Sequence, residues 1–457
     1  GARHVVKALG EKLQSSRLLA YVIAGHHAGL PNYGSVADSN ESCLAIRLNR
    51  VPEPYETEEI KALPAAAPLA FSLRPGLEPG FQLAFFTRMV FSCLVDADSL
   101  DTEAFVNPKK SKIREHNVSF KDLLDRFRMH NHANFGATKR EIDRRRAEIL
   151  QECLAQAEDD PGLYTLTLPT GAGKTLTSLG FALEHAVKNE LKRIIYVIPY
   201  TSIIEQNAQK LREVLGDPNV LEHHSNVRHA VKDEEDEEYD VPNAAKKLEL
   251  AEENWDVPVI VTTNVQFFES LFANKRARCQ KMHNIAGSVI VLDEAQMING
   301  GFFRPILYAL EELVRNYGCT VVFCTATQPE LAKLFPKPVP IREIVEDVPL
   351  RFEQFGRVKL QRLGIAGYDE IAARLADHQQ ALCIVNTRRA ARELFEKAVA
   401  RCGAGGVWHL SARMCPNHRL AILGKIRKQL EDNQPCILIS TQLIEAGVDI
   451  DFPVVYR

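Results

Sequence analysis

The chain has no run approaching the roughly 18–20 consecutive apolar residues that a membrane helix needs, so nothing in its 457 residues reads as a bilayer span. It has no surplus of positive charge: 56 Lys and Arg stand against 59 Asp and Glu, a net charge of −3. That excludes a globally basic nucleic-acid binder, although a local basic groove remains open. None of the ten cysteines forms a Cys-x-x-Cys pair. In a chain of this length they read as reduced, mostly buried thiols of a cytoplasmic protein, not as a disulfide scaffold. No short-period repeat is present. The chain also lacks an initial methionine and a signal peptide, opening at Gly1-Ala-Arg-His4 and closing on the strand-like run Phe452-Pro-Val-Val-Tyr-Arg457. Both ends are therefore expected to be cut from a longer protein. What is present is the composition of a soluble globular chain, 46% hydrophobic and 25% charged. At about 150 residues per domain it has room for about three cores.

Residues 1–130 are expected to be mainly helical, since 2–19 and 81–100 carry apolar residues at helical spacing. Positions 51–80, rich in Pro, Ala and Glu, read as a loop-and-helix excursion. The basic passage from Lys109 to Arg146, with Lys109-Lys-Ser-Lys112 and Arg144-Arg-Arg146, suits a linker, a phosphate-facing surface or a solvated helix face. The pattern then changes. Short apolar runs at 163–168, 193–198, 257–262, 288–292 and 320–324 alternate with helical stretches. That alternation predicts a parallel sheet covered by helices, with loops at the carboxyl ends of the strands. A second series begins near Arg357 and includes 380–385, 406–410 and 436–440. The acidic run from Asp233 to Asp240 reads as an exposed excursion, because like charges cannot share a core. The expected fold class is α plus α/β. A helical domain occupies 1–130, a linker or helix 131–160, a first parallel-sheet domain 161–345, and an incomplete second one 346–457.

Leu168-Pro-Thr-Gly-Ala-Gly-Lys-Thr175 follows an apolar strand and precedes a helical run, the setting a phosphate-binding loop requires. Glycines 171 and 173 let the backbone of Thr170, Gly171, Ala172 and Gly173 curl so that its N–H groups face phosphate oxygens. Lys174 is expected to neutralise the β- and γ-phosphates of ATP, and the Thr175 hydroxyl to join the shell of its Mg²⁺. About 120 residues later Val289-Ile-Val-Leu-Asp-Glu-Ala-Gln296 ends a strand in adjacent carboxylates. Asp293 suits the metal and Glu294 the role of general base, which together predict nucleoside triphosphate hydrolysis.

Further polar runs close successive strands. Pro199-Tyr-Thr-Ser-Ile-Ile-Glu-Gln206 and Val261-Thr-Thr-Asn-Val-Gln266 offer hydroxyls and amides, with Thr201, Thr263 and Gln266 as candidate phosphate contacts on a single strand. Asn386-Thr-Arg-Arg-Ala390, His409-Leu-Ser-Ala-Arg413 and Ser440-Thr-Gln-Leu-Ile-Glu-Ala-Gly-Val-Asp449 follow later strands, adding Thr387, Arg388 and Thr441. Cys324-Thr-Ala-Thr-Gln-Pro329 could relay the γ-phosphate state through Thr325 and Thr327. In this order the runs resemble the superfamily 2 helicases: a Walker A loop at Lys174, a DEAQ box at 293–296, a Thr-Ala-Thr motif at 325–327 and motif V at 440–449. The resemblance covers about 300 residues and implies two RecA-like domains, with Gln296, Gly447 and Asp449 at the nucleotide. It also implies that motif VI, which carries an arginine finger, lies beyond Arg457.

In the helical region Ala24-Gly-His-His-Ala-Gly29 sets two histidines between small residues, and Ser92-Cys-Leu-Val-Asp-Ala-Asp-Ser-Leu-Asp101 follows with carboxylates. Imidazole plus carboxylate is a ligand set for a metal centre that activates water. His223-His224, His130 and His132 are assigned no metal. Together with the motifs above, "AGHHAGLP" and "SCLVDADSLDTE" are similar to the HD nuclease domain fused ahead of the helicase in CRISPR-associated helicase–nucleases of type I systems. That resemblance implies recruitment by the Cascade complex, with its CRISPR RNA, to an R-loop. ATP-driven 3′→5′ movement on single-stranded DNA and metal-dependent cutting would follow, with sequence choice left to the guide. It implies His26, His27 and Asp98 as ligands of a transition metal (Mn, Ni, Co or Fe), with Asp96 a second candidate and the remaining ligands before Gly1. Two other readings are a stand-alone translocase whose helical region is a docking module, and an HD phosphohydrolase acting on a small nucleotide.

Overall fold

The computed structural model describes residues 1–10, 14–37, 43–50, 72–114, 118–135, 140–199, 201–224, 243–297, 302–326, 331–335, 337–356, 358–411, 413–444 and 450–457. Two compact units emerge. The first comprises residues 1–199 and 204–356, the second 200–203 and 357–457.

In the first unit seven strands form one sheet: β1 (Leu163–Thr167), β2 (Arg193–Ile198), β3 (Val220–His223), β4 (Val259–Thr263), β5 (Ser288–Leu292), β6 (Thr320–Thr325) and β7 (Ile341–Glu343). Their order is β3-β4-β2-β5-β6-β1-β7, and every pairing is parallel. The runs expected at 193–198 and 288–292 are strands over those same residues. Every residue of β1, β2, β5 and β6 is buried. This is the pattern of a parallel sheet with helices on both faces.

One face is covered in part by the helical region itself. Helix Pro79–Val106 sends Phe85 and Met89 into the same apolar cluster as Ile195, Ile290 and Phe323 of the strands. The expected helix over 2–19 is divided: Ala2–Leu9 ends at Gly10, whose φ of +93° only glycine adopts readily, and Gln14–Gly25 follows. The basic passage 109–146 is largely helical, in Pro108–Ile113, Phe120–Phe135 and Glu141–Gln156. Its apolar side chains explain why it is more than a tether, since Leu123, Leu124, Phe127 and Ile149 are all buried. The acidic run 233–240 and most of 51–80 lie outside the described residues.

Helix Lys174–Lys188 crosses Phe120–Phe135 and Glu141–Gln156 at Gly180. A methyl group there would stand 2.8 Å from the Phe127 ring and 2.9 Å from Leu150 Cδ1. Phe127 is 1% exposed and cannot swing away. Gly180→Ala is therefore expected to destabilise the chain by about 1–3 kcal/mol. Urea unfolding checks this, and an unchanged midpoint would contradict the close crossing.

The second unit holds β8 (Gln380–Val385), β9 (Val407–Leu410), β10 (Cys436–Thr441) and β11 (Val455–Tyr456), all parallel in the order β11-β8-β10-β9. Alternation along each strand divides its apolar side chains between two cores. Ala381, Cys383, Ile437 and Ile439 meet Leu375 and Leu394 on one face. Leu382, Cys436 and Leu438 meet Ile422 and Ile426 on the other. Among the described residues no helix is long and apolar enough to cross a membrane.

Candidate functional site

Three neighbouring strands of the first sheet, β5, β6 and β1, end side by side, as the pairs Thr167 with Thr325 and Leu292 with Phe323 record. The loop after β1 starts with the buried Leu168, whose N–H donates to the Thr325 carbonyl at 3.3 Å. Gly171 and Gly173 have φ of +87° and +88°. With Gly173 as N-cap, helix Lys174–Lys188 begins with its N–H groups towards the loop. A left-handed glycine at each of these turns allows the backbone amides to converge, which is what an anion needs.

Lys174, Thr175, Tyr196, Asp293 and Cys324 line a small pocket at the strand ends. Lys174 Nζ lies 3.7 Å from Glu294 Oε1. Gln296 Nε2 donates to Glu294 Oε2 at 2.5 Å, and Thr325 Oγ1 donates to Gln296 Oε1 at 2.7 Å. A continuous polar row thus joins the strand ends of β6 and β5 to the lysine after β1. Glu294 is held with φ of +49°, and its N–H donates to Asp293 Oδ1 at 3.1 Å. A non-glycine residue in that region stores strain, a frequent property of reacting positions. Burial pushes the Asp293 carboxyl above the usual range, while Lys174 pulls it back. Such a carboxylate, desolvated and facing an ammonium, is prepared for a divalent cation. Tyr196 meets Ser178 at 3.1 Å under the loop, and burial raises its phenol well above its ordinary value.

Two supports of this loop were not singled out from the sequence. Glu343 of β7 accepts from the Thr167 N–H at 3.1 Å and the Thr167 hydroxyl at 2.7 Å, immediately before the loop. Arg146 donates to the Gly171 carbonyl from Nε at 2.9 Å and from Nη2 at 2.7 Å. The signal for Arg146 lay in the Asp143/Arg146 spacing, which puts the two on one helical face.

The candidate nucleic-acid contacts are described in part. The Thr263 hydroxyl accepts from the Gln266 N–H at 3.0 Å, capping Asn264–Phe272, and the Thr387 hydroxyl accepts from the Ala390 N–H at 3.1 Å, capping Arg388–Cys402. Each hydroxyl keeps a proton to donate. Gln266 Nε2 lies 3.3 Å from His223 Nε2. Arg388 is exposed and Thr441 half-buried. The Thr201 side chain, Thr327, Gly447 and Asp449 lie outside the described residues.

The expected metal ligands do not assemble. Among the described residues, the only group of three or more metal-ligating side chains is Glu205, Glu222 and His224, where Arg212 pairs with Glu222 at 3.0 Å. His26 donates from Nδ1 to the Ile23 carbonyl at 2.7 Å, and its ring centre is 3.8 Å from that of the exposed His27. Asp96 is corrected. Its carboxylate is buried and takes Gln280 Nε2 at 2.9 Å, Asn254 Nδ2 at 3.3 Å and His283 Nε2 at 3.4 Å. Asp98 is also directed elsewhere, pairing with Arg276 at 2.7 Å. Both carboxylates dock the long helix onto residues that flank the sheet. Nearby, Ser92 Oγ meets His283 Nδ1 at 2.9 Å, and burial lowers the pKa of His283 against the opposing pull of Asp96.

Residues 147–334 match the DEAD/DEAH box helicase family, and residues 377–457 match the C-terminal part of the CRISPR-associated nuclease/helicase Cas3. The chain is thus similar to DEAD/DEAH box helicases over its middle and to Cas3 over its last part. A curated Cas3 of Haloferax volcanii is 33% identical over 209 residues, 43% of this chain and 22% of that protein. Another, of Methanothermobacter thermautotrophicus, is 23% identical over 312 residues, 64% of this chain and 36% of that protein. The chain corresponds to about a fifth to a third of the length of these relatives. The fold of T. fusca Cas3 with ADP is similar over 99% of this chain and 59% of that one, with a TM-score of 0.62 at 16% identity. The DNA-bound DUF1998 helicase MrfA shares the fold over 72% of this chain and 46% of its own, with a TM-score of 0.50 at 16% identity.

Proposed function

We propose that the chain is the motor of a CRISPR interference enzyme, hydrolysing ATP to move 3′→5′ on single-stranded DNA. The observation that carries this reading is the polar row Thr325–Gln296–Glu294–Lys174 across three strand ends. Backbone amides of 170–173 and the start of the following helix hold the phosphates, and Lys174 offsets their charge. Thr175 and Asp293 would hold Mg²⁺, which when bound neutralises charge on the β- and γ-phosphate oxygens. Glu294 orients the attacking water and takes its proton as the water oxygen bonds to the γ-phosphorus, while the bond from that phosphorus to the β–γ bridging oxygen breaks and ADP leaves. Gln296 and Thr325 hold Glu294 in place and tie it to the end of β6. Thr263, Gln266, Thr387, Arg388 and Thr441 contact backbone phosphates without reading bases. Recruitment by Cascade and its CRISPR RNA to an R-loop, in the cytoplasm, belongs to the same reading.

In that setting the helical region is of the HD nuclease type, with His26 and His27 as metal ligands. The full ligand set does not fit the described residues, because Asp96 and Asp98 are engaged, so no cleavage step is derived. Their engagement favours a second reading, in which this region docks and stiffens the motor. Metal-dependent cutting of single-stranded DNA by the full-length protein, lost in His26→Ala/His27→Ala, separates the two. Cutting that survives both changes removes the metal assignment.

Phosphate release stimulated by single-stranded DNA tests the motor. Glu294→Gln is expected to bind ATP as the parent does and to turn it over about 10²–10⁴-fold more slowly, the usual worth of a general base. Parent-like turnover would remove Glu294 from the mechanism.

A further inference from the structure

We propose that Arg146 is a positioning residue for the phosphate-binding loop, holding it in its nucleotide-ready shape before any anion arrives. Such a loop works by turning its amide hydrogens inward, so the carbonyls between them must turn outward and find other partners. At Gly171 that partner is a single guanidinium, which donates twice to one oxygen, at 2.9 and 2.7 Å. The remaining arm of the guanidinium donates from Nη1 to Asp143 Oδ1 at 3.0 Å. Asp143 has a side chain only 1% exposed and is gripped on its other oxygen by Arg140 at 2.7 Å. A buried carboxylate thus aims the arginine, and the arginine aims the peptide. Its stem also passes beside the next left-handed glycine, with Arg146 Cγ 3.7 Å from where a Gly173 Cβ would stand.

Glu141–Gln156 precedes β1, the strand that leads into the loop, and the DEAD/DEAH box match starts at residue 147, so Arg146 stands just outside it. Helix Glu141–Gln156 also reaches the segment that leads out of the first unit. Arg145 donates to the Gln354 carbonyl, and Glu152 pairs with Arg351 at 2.7 Å. The two neighbouring arginines therefore tie the loop and that segment to one rigid rod.

The inference rests on the loop being an ATP site, and the test separates the two claims. Mg-ATP and ADP affinities are measured by calorimetry on the full chain for the parent and for Lys174→Ala, Arg146→Ala, Arg146→Lys and Arg140→Ala, each with its unfolding midpoint. Arg146→Ala is expected to weaken binding about 10-fold, since two charge-assisted hydrogen bonds to the loop are lost. Arg146→Lys recovers part of this, because an ammonium cannot make the two-pronged contact. Arg140→Ala, which touches Asp143 and not the loop, stays within about twofold of the parent. A merely structural Arg146 would lower the unfolding midpoint and leave the affinities of the folded protein unchanged. Affinity within twofold of the parent in folded Arg146→Ala overturns the proposal, as does a loss of the same size in Arg140→Ala. If the parent binds no nucleotide, or Lys174→Ala binds as well as the parent, the ATP site itself is refuted.

Discussion

Lys174→Ala is expected to lower DNA-stimulated ATP turnover by about 10²–10³-fold, the loss seen when one preorganised charge donor is removed from a reacting centre. The geometry makes the effect large. Lys174 lines a pocket with Asp293, and its Nζ lies 3.7 Å from Glu294 Oε1 beside it. Without the ammonium, a polyphosphate would enter a partly desolvated site facing two carboxylates. The pH profile should change as well. Lys174 lowers the Asp293 pKa against burial, so its loss lets that pKa rise further. Asp293 must be ionised to hold a cation, and the acid limb of the residual activity should therefore move to higher pH. Turnover within tenfold of the parent, or an acid limb displaced to lower pH, would contradict this account. Any cutting of single-stranded DNA by the full-length protein should persist in Lys174→Ala, since the His26/His27 pair and the loop are separate features of the chain.

The second large effect is expected at Asp96. Asp96→Ala removes the acceptor that Asn254, Gln280 and His283 share in a buried contact. Stranding these buried donors costs their desolvation, about 1–3 kcal/mol for each group left unpaired. Asp96→Asn keeps the shape and should lose less, because its amide still offers one oxygen. Urea unfolding measures both. A metal ligand would behave in the opposite way, with metal content falling in Asp96→Ala while stability in chelator stays that of the parent. That outcome would restore Asp96 to a metal site.

Most strands were legible because a buried parallel strand reads as an apolar run, as Ile194–Ile198 and Val289–Leu292 do, whereas β3 and β7, short and with charged residues, were not foreseen. The loop and the DEAQ box were legible for a related reason. Their chemistry is local, compressed into eight consecutive residues whose glycines and charges have few other uses. What escaped depends on contacts remote in sequence. Arg146 meets Gly171 from 25 positions away, and a run of three arginines looks the same whether it faces water or a carbonyl. The contacts of Asp96 escaped because carboxylates on a helix show spacing and not direction. Its partners at 254, 280 and 283 are more than 150 residues along the chain. Gly10, by contrast, interrupts apolar spacing that continues on either side, so the periodicity alone runs through the break.

Phe85 and Met89 of the long helix lie in one apolar cluster with Ile290 and Phe323 of the sheet, and Glu103 pairs with Arg114 while Arg114 reaches Glu253. The helical region is thus a wall of the first unit's own core. Helical region and sheet do not form separable cassettes, because side chains of both make up one apolar cluster. A transplanted helical region would bring the wrong side chains to residues 250–284 and expose the face of the sheet it was meant to cover.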